Sequence, residues 1–136
     1  MSRRRGHATP LAALALLAAP GAALAWTAAN GSAVVPVTAE RFEVINRASS
    51  RAQDYWCGAG DFAIAGLRSA ATQRIYVYAP VGPSQTNPGA RAVQFSLVPP
   101  PSGPAPQTYS LSVKTAGDSL TAAAARQYCY DRLMGF

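Results

Sequence analysis

Apolar and polar residues alternate in four stretches of the chain, and after the first of these they recur instead with a helical period. In "RFEVIN", residues 41–46, Phe42 and Val44 point one way and Arg41 and Glu43 the other, as in a half-buried strand. In "QRIYVYA", 73–79, Ile75, Val77 and Ala79 share a face opposite Arg74, Tyr76 and Tyr78. In "RAVQFSL", 91–97, Val93, Phe95 and Leu97 oppose Ala92, Gln94 and Ser96. In "YSLSVK", 109–114, Tyr109, Leu111 and Val113 oppose Ser110, Ser112 and Lys114. Together these runs predict an antiparallel sheet with one dry face. The connections "PVGPSQTNPGA" and "PPPSGPAPQ" are rich in Pro and Gly and are read as loops, the second of them stiff and extended.

The helical stretch is "SSRAQDYWCGAGDFAIAGLR", 49–68. Ser50 followed three positions later by Gln53 is the pattern of a capping box and marks a start. With successive residues rotated about 100° apart, Tyr55, Trp56, Ala59, Phe62, Ala63 and Leu67 fall, with Ala52 and Gly66, in one arc of roughly 140°. Asp54, Asp61 and Arg68 fall opposite, on the expected solvated face. The apolar period runs through Gly58 and Gly60, which excludes a phosphate loop. Each glycine costs a helix roughly 1 kcal/mol relative to alanine, so close packing against another segment is expected to offset them.

Near the end, "DSLTAAAARQYCYDRL" reads as an alanine-rich helix after a Ser or Asp cap. Residues 26–39 are small and apolar; they are expected to form an irregular N-terminal arm with a turn at Asn30-Gly31. The predicted fold is α+β, in the order β-α-β-β-β-α. An antiparallel sheet of about four strands carries the Trp56 helix on one face, and residues 40–136 form a single domain.

The first twenty-five residues change the cellular picture. A basic start, "MSRRRGHATP", precedes the apolar run "LAALALLAAP" and a small-x-small site at Ala23-Leu24-Ala25, the pattern of a cleaved signal peptide over 1–25. The run is short of the roughly 20 residues that span a bilayer, so no membrane span is expected once it is removed. The alternative is a leader retained as an anchor. The rest of the chain carries nine basic and six acidic residues, a net +3. That excess is too mild and scattered to predict nucleic-acid binding. Eleven Arg against one Lys and abundant Ala fit a GC-rich bacterial coding sequence, and with the leader they predict a periplasmic or secreted protein.

Export bears on the two cysteines, Cys57 and Cys129. An even count in an oxidising compartment predicts a disulfide; two unpaired buried thiols are the alternative. Cys57 lies on the flank of the apolar arc beside Gly60, which leaves room for the segment carrying Cys129 to run alongside.

Little chemistry is available. His7, in the leader, is the single histidine, so a Ser-His-Asp triad, Cys-His catalysis and Cys/His zinc coordination are excluded from the domain. The cysteines are too far apart for a CxxC redox centre. No metal or cofactor is expected. Asp54 and Asp61, two helical turns apart, are the one pair suited to hydrolytic carboxylate chemistry. Tyr76, Tyr78, Arg74 and Arg91 are the candidate binding surface, an aromatic and arginine set placed on the outer face of neighbouring strands. The alternative is that the tyrosines pack under a loop or the arm.

The combination of "YWCGAGDFA", "RIYVYAPVGPS", "AVQFSLVP" and a late cysteine resembles a family of small exported proteobacterial domains of unknown function. The resemblance covers residues 40–130, and its most specific part is Trp56-Cys57-Gly58-Ala59. It implies one compact, disulfide-linked α+β domain and supplies no catalytic residue. The functional expectation is a non-catalytic interaction module that binds a protein or cell-envelope component. The alternatives are a small carboxylate-dependent hydrolase and an envelope structural protein held by an uncleaved signal anchor.

Overall fold

The computed structural model of the chain describes Gly6 and residues 25–131. The expected signal peptide therefore lies outside the described residues, apart from Gly6 and Ala25. Six strands and two helices follow in the order β1 (Trp26–Thr27), β2 (Ala33–Pro36), β3 (Arg41–Ile45), α1 (Ala52–Asp61), β4 (Arg74–Pro83), β5 (Arg91–Ser96), β6 (Ser119–Thr121) and α2 (Ala122–Asp131). The strands form one sheet, ordered β1-β2-β3-β5-β4-β6 and antiparallel throughout. No helix among the described residues is long and apolar enough to cross a membrane.

The α+β class, the antiparallel sheet and the disulfide are as the pattern predicts; the strand inventory differs in two places. Residues 26–39 are not an irregular arm. They make the hairpin β1–β2, closed by Ala28 N–H to Ser32 O and Gly31 N–H to Ala28 O, at 2.9 and 2.8 Å. Two and four residues are too few for alternation to register, and β2 is held by pairing with β3, Val34 opposite Val44. The expected strand at 109–114 is absent, and β6 replaces it, pairing with Arg74–Tyr76. The apolar residues of 109–114 instead anchor a crossing segment. Val113 is buried and its carbonyl accepts the N–H of Val81 at 3.0 Å. Gly117, at φ +92°, then turns the chain into β6 where residues 103–105 press against it.

The dry face is built as expected. Phe42 and Val44 of β3, Ile75 and Val77 of β4, and Val93 and Phe95 of β5 are all buried, and Tyr55, Trp56, Ala59, Phe62 and Ala63 pack onto them. Trp56 meets Phe95 with the rings tilted and their centroids 4.9 Å apart, and Phe62 meets Phe42 edge to face at 4.9 Å. The Trp56 indole N–H donates to Ser112 O at 3.1 Å, so the burial leaves no orphan donor. Each such side chain contributes about 1.5–3 kcal/mol.

Helix α1 departs from the pattern in three ways. The capping box does not form. Arg51 is the N-cap without a side-chain bond, and the loop before it is organised by Asn46 Oδ1, which accepts the N–H groups of Ala48 and Ser49. Past Asp61 the helix widens into a π-helical turn, Phe62–Gly66. An i→i+5 turn holds an extra residue, so Gly66 and Leu67 drop out of phase and are exposed. Third, of the expected solvated face only Arg68 is exposed: Asp54 and Asp61 are buried, at 2% and 6% exposure. The hairpin turn and α2 cover them. Asp61 accepts the N–H of Ala29 at 2.8 Å and the Nε–H of Arg126 at 3.1 Å, and Asn30 Nδ2 donates to Asp54 O at 2.9 Å.

Both helix glycines mark close approach. A methyl on Gly58 would stand 2.6 Å from Val44 Cγ1, and one on Gly60 only 2.2 Å from Arg126 N. Helix α2 thus runs along the Gly60 flank, presenting Ala122, Ala125 and Cys129 inward, and Cys129 is bonded to Cys57 with Cα atoms 4.8 Å apart. Thr121 Oγ1 caps α2 by accepting Ala124 N–H at 3.2 Å.

Candidate binding surfaces

On the sheet face away from α1, alternation places Arg41, Glu43 and Ile45 of β3 beside Ala92, Gln94 and Ser96 of β5 and Tyr76 and Tyr78 of β4. This face is only partly open. Ile45, Ala90 and Ala92 form a second small apolar cluster with Ala33 and Val35 against it.

Glu43, which alternation places opposite the dry face, is nevertheless fully buried, because the loop between β4 and β5 folds over it. The Ser84 hydroxyl donates to Glu43 Oε1, as do the Thr86 hydroxyl at 2.7 Å and Thr86 N–H at 3.3 Å; Gln85 N–H donates to Oε2 at 2.8 Å. Ser84 Oγ in turn accepts Asn87 N–H at 2.9 Å, so the loop is tied to itself as well. Burial pushes the Glu43 carboxyl up, but the two hydroxyls and the two backbone N–H groups together outweigh it and hold it below the usual 4.5. "GPSQTNPG" is therefore a carboxylate-binding loop rather than a solvated turn. Two register irregularities in the β4–β5 pairing bend β4 just ahead of it.

The four residues of the candidate surface fall in different places. Tyr76 and Tyr78, both half-buried, alternate with buried Ile75 and Val77. The Arg41 guanidinium lies over the Tyr78 ring, 4.4 Å from its centroid, a cation–π contact. Arg74 opens β4 opposite Thr121 and is half-buried. Arg91 is exposed at the far end of the β4–β5 hairpin, opposite Pro83 and beside Tyr55. Arg74, Tyr76 and Tyr78 thus share one region, and Arg91 belongs to another. Asp54 and Asp61 line neither the groove beside Arg74 nor the cleft beside Arg91.

The region of Arg74 opens into a groove of about 320 Å³ between the 105–112 segment and the β6–α2 edge. Trp56, Tyr109, Asp118, Leu120 and Tyr128 line it together with Arg74. Tyr109, expected to point inward from a strand, is wholly exposed. Burial pushes the Asp118 carboxyl above its usual 3.8. Strand β6 pairs with β4 on one side, and among the described residues no strand pairs with its other side. The groove therefore offers an unpaired backbone edge, aromatic walls, one guanidinium and one carboxyl. Of these residues the sequence singled out only Arg74. The prolines of 99–106 were the available sign, since a stiff loop beside a short strand leaves an edge uncovered.

No protein-family model matches the chain, and no curated protein and no solved structure is similar to it. The surfaces are accordingly read from their own residues.

Proposed function

We propose that this protein is a non-catalytic, exported interaction module that captures an extended peptide segment of a partner protein along the free edge of β6. The observation that carries the reading is the groove itself: an unpaired strand edge flanked by exposed Tyr109 and by half-buried Tyr128 and Arg74. Main-chain hydrogen bonds to a strand edge supply affinity without sequence demands, and pockets beside it select side chains. Aromatic and arginine side chains are the types that dominate binding energy at such surfaces. The structural duties of Asp61 also support a non-catalytic role, because its two oxygens already accept bonds from Ala29 and Arg126. The export part of the proposal rests on the leader pattern and on the Cys57–Cys129 bond, which persists in oxidising compartments. Mass spectrometry of the exported protein reads its first residue; Trp26 supports cleavage, and Met1 or Ser2 supports the anchored alternative.

The test of the site is selection of peptides from a random display library on the folded, disulfide-linked protein, followed by amide chemical-shift mapping with one selected peptide. Shifts centred on Ser119–Thr121 and lost in Tyr109→Ala are the expected result. Tyr109 is solvent-bathed, so this variant keeps the fold. Peptides that bind but leave β6 unperturbed, or whose affinity survives Tyr109→Ala, refute the assignment.

A further inference from the structure

Where an extended peptide pairs with β6, as the reading above has it, two charged side chains meet it. Arg74 and Asp118 are the charged residues among the described ones that line the groove. Register fixes their places. Arg74 pairs with Thr121, which ends β6, and Asp118 immediately precedes Ser119, which begins it. Val77 N–H donates to Asp118 O and Gly117 N–H to Val77 O, both at 2.8 Å, so Asp118 stands across from Val77. The two charges are thus three positions apart along the edge of β6, roughly 10 Å at about 3.3 Å per residue. Alternation puts them on opposite sides of that edge: Arg74 and Thr121 with outward Tyr76, and Asp118 with inward Val77.

Both charges are uncommitted within the chain. Among the described residues the ion pair is Arg126 with Asp61, and the side-chain hydrogen bond that reaches Arg74, from Gln73 Nε2 at 2.9 Å, ends on its main-chain carbonyl. Both side chains are half-buried. Burial raises the Asp118 carboxyl above 3.8, and no cation lowers it, Arg74 included. A strand laid on the edge takes further water from both groups, and a charge that loses water without gaining a counter-charge is costly. An uncharged peptide covers both and compensates neither. A peptide of one sign meets repulsion at one end. A peptide with a cation at one end and an anion at the other satisfies both.

We propose that the β6 groove selects extended peptides of mixed charge, with a Lys or Arg set against Asp118 and an Asp or Glu set against Arg74. The two peptide residues stand about three positions apart and project to opposite faces of the added strand. The inference rests on peptide capture at β6 and adds to it the chemistry of the peptide.

The probes are short peptides with capped ends and a Thr/Val host, carrying Lys and Glu three positions apart in either order, with Gln–Gln, Lys–Lys and Glu–Glu counterparts. Each is titrated at constant ionic strength into the folded, disulfide-linked protein labelled with 15N, and the Ser119–Thr121 amides are followed. One mixed-charge order is expected to bind roughly tenfold tighter than Gln–Gln, and tighter than either single-sign peptide. Which order wins reads the direction of the added strand; either supports the selection. Asp118→Asn abolishes the preference for Lys over Gln and keeps that for Glu, and Arg74→Gln does the reverse. A merely structural role would weaken all the peptides alike. Unfolding midpoints no lower than wild type certify both variants as folded. The exchanged pair Arg74→Glu/Asp118→Lys is expected to prefer the opposite order. Equal affinity of Gln–Gln and mixed-charge peptides, all shifting Ser119–Thr121, overturns the charge selection and leaves edge capture standing. A charge preference that survives both single variants overturns it too. If no peptide shifts Ser119–Thr121, the capture itself falls, and the selection with it.

Discussion

Replacing Glu43 is the most direct way to ask what holds the β4–β5 loop to the sheet. The carboxylate accepts four hydrogen bonds from Ser84, Gln85 and Thr86. In Glu43→Ala the two hydroxyls can turn to water, but the N–H groups of Gln85 and Thr86 point into the space the carboxylate filled. Each buried donor left unsatisfied costs about 1–3 kcal/mol. The lost charge-assisted bonds bring the expected total to about 3–5 kcal/mol. Against a domain stability of about 5–15 kcal/mol that is a large fraction. It lowers the thermal midpoint by roughly 10–25 °C. Glu43→Gln keeps the shape and loses the charge, and is expected to cost about 1–3 kcal/mol. The assay is urea and thermal unfolding followed by tryptophan fluorescence, with Trp56 buried in the native state. The pH dependence gives a second readout. Glu43 sits below 4.5 in the folded protein, so its stabilisation is complete above about pH 4.5 and is lost as pH falls through the folded value. Asp118 acts in the opposite sense: its raised value makes the fold lose stability as pH rises from 3.8 through that value. The difference between wild type and Glu43→Gln isolates Glu43, and it shrinks as the solution is acidified. An alanine variant within about 0.5 kcal/mol of wild type, the ordinary range for surface changes, refutes the reasoning. So does a glutamine variant whose difference from wild type is independent of pH.

Three further outcomes follow from the packing. Gly60→Ala drives a methyl into the α2 backbone and is expected to cost at least about 1–3 kcal/mol, read as a lower unfolding midpoint; an unchanged midpoint refutes the close approach. The double variant Cys57→Ala/Cys129→Ala opens a loop closed across a separation of 72 positions and is expected to lose on the order of 4 kcal/mol, with reduction of the wild-type protein giving a similar loss. Arg68 holds φ +59° just beyond the π-helical turn, so Arg68→Gly is expected to stabilise by about 1 kcal/mol, measured by urea titration, and destabilisation speaks against that conformation.

Strands β3, β4 and β5 and helix α1 were legible because each turns one regular apolar face to one neighbour, which is what periodicity records. Cys57 was legible as a bonded residue because its flank position beside Gly60 implied a close partner. The failures share a different cause. Glu43 alternates correctly and points away from α1, but the loop that buries it lies some forty positions later and carries no apolar signal. Asp54 and Asp61 do point away from the sheet; the covering layers, the β1–β2 turn and α2, come from the two ends of the domain. In 109–114 the apolar residues anchor a crossing segment rather than a strand, and Tyr109 was misplaced with it. The candidate surface suffered likewise: alternation put Arg74, Tyr76 and Tyr78 in one place, but it does not report position along a strand, so Arg91 at the far end was grouped with them.

The covalent tie between the helices has a consequence for how the molecule comes into being. A chain made from its amino end presents Cys57 long before Cys129, and all of β4, β5 and β6 lie between them. Until the last helix exists, the first thiol has no intramolecular mate, and the sequence holds no third cysteine to trap it in a wrong pairing. Oxidation therefore acts as a completion check: it can lock the fold only after every strand has been delivered, and a truncated or stalled product stays open and unsealed.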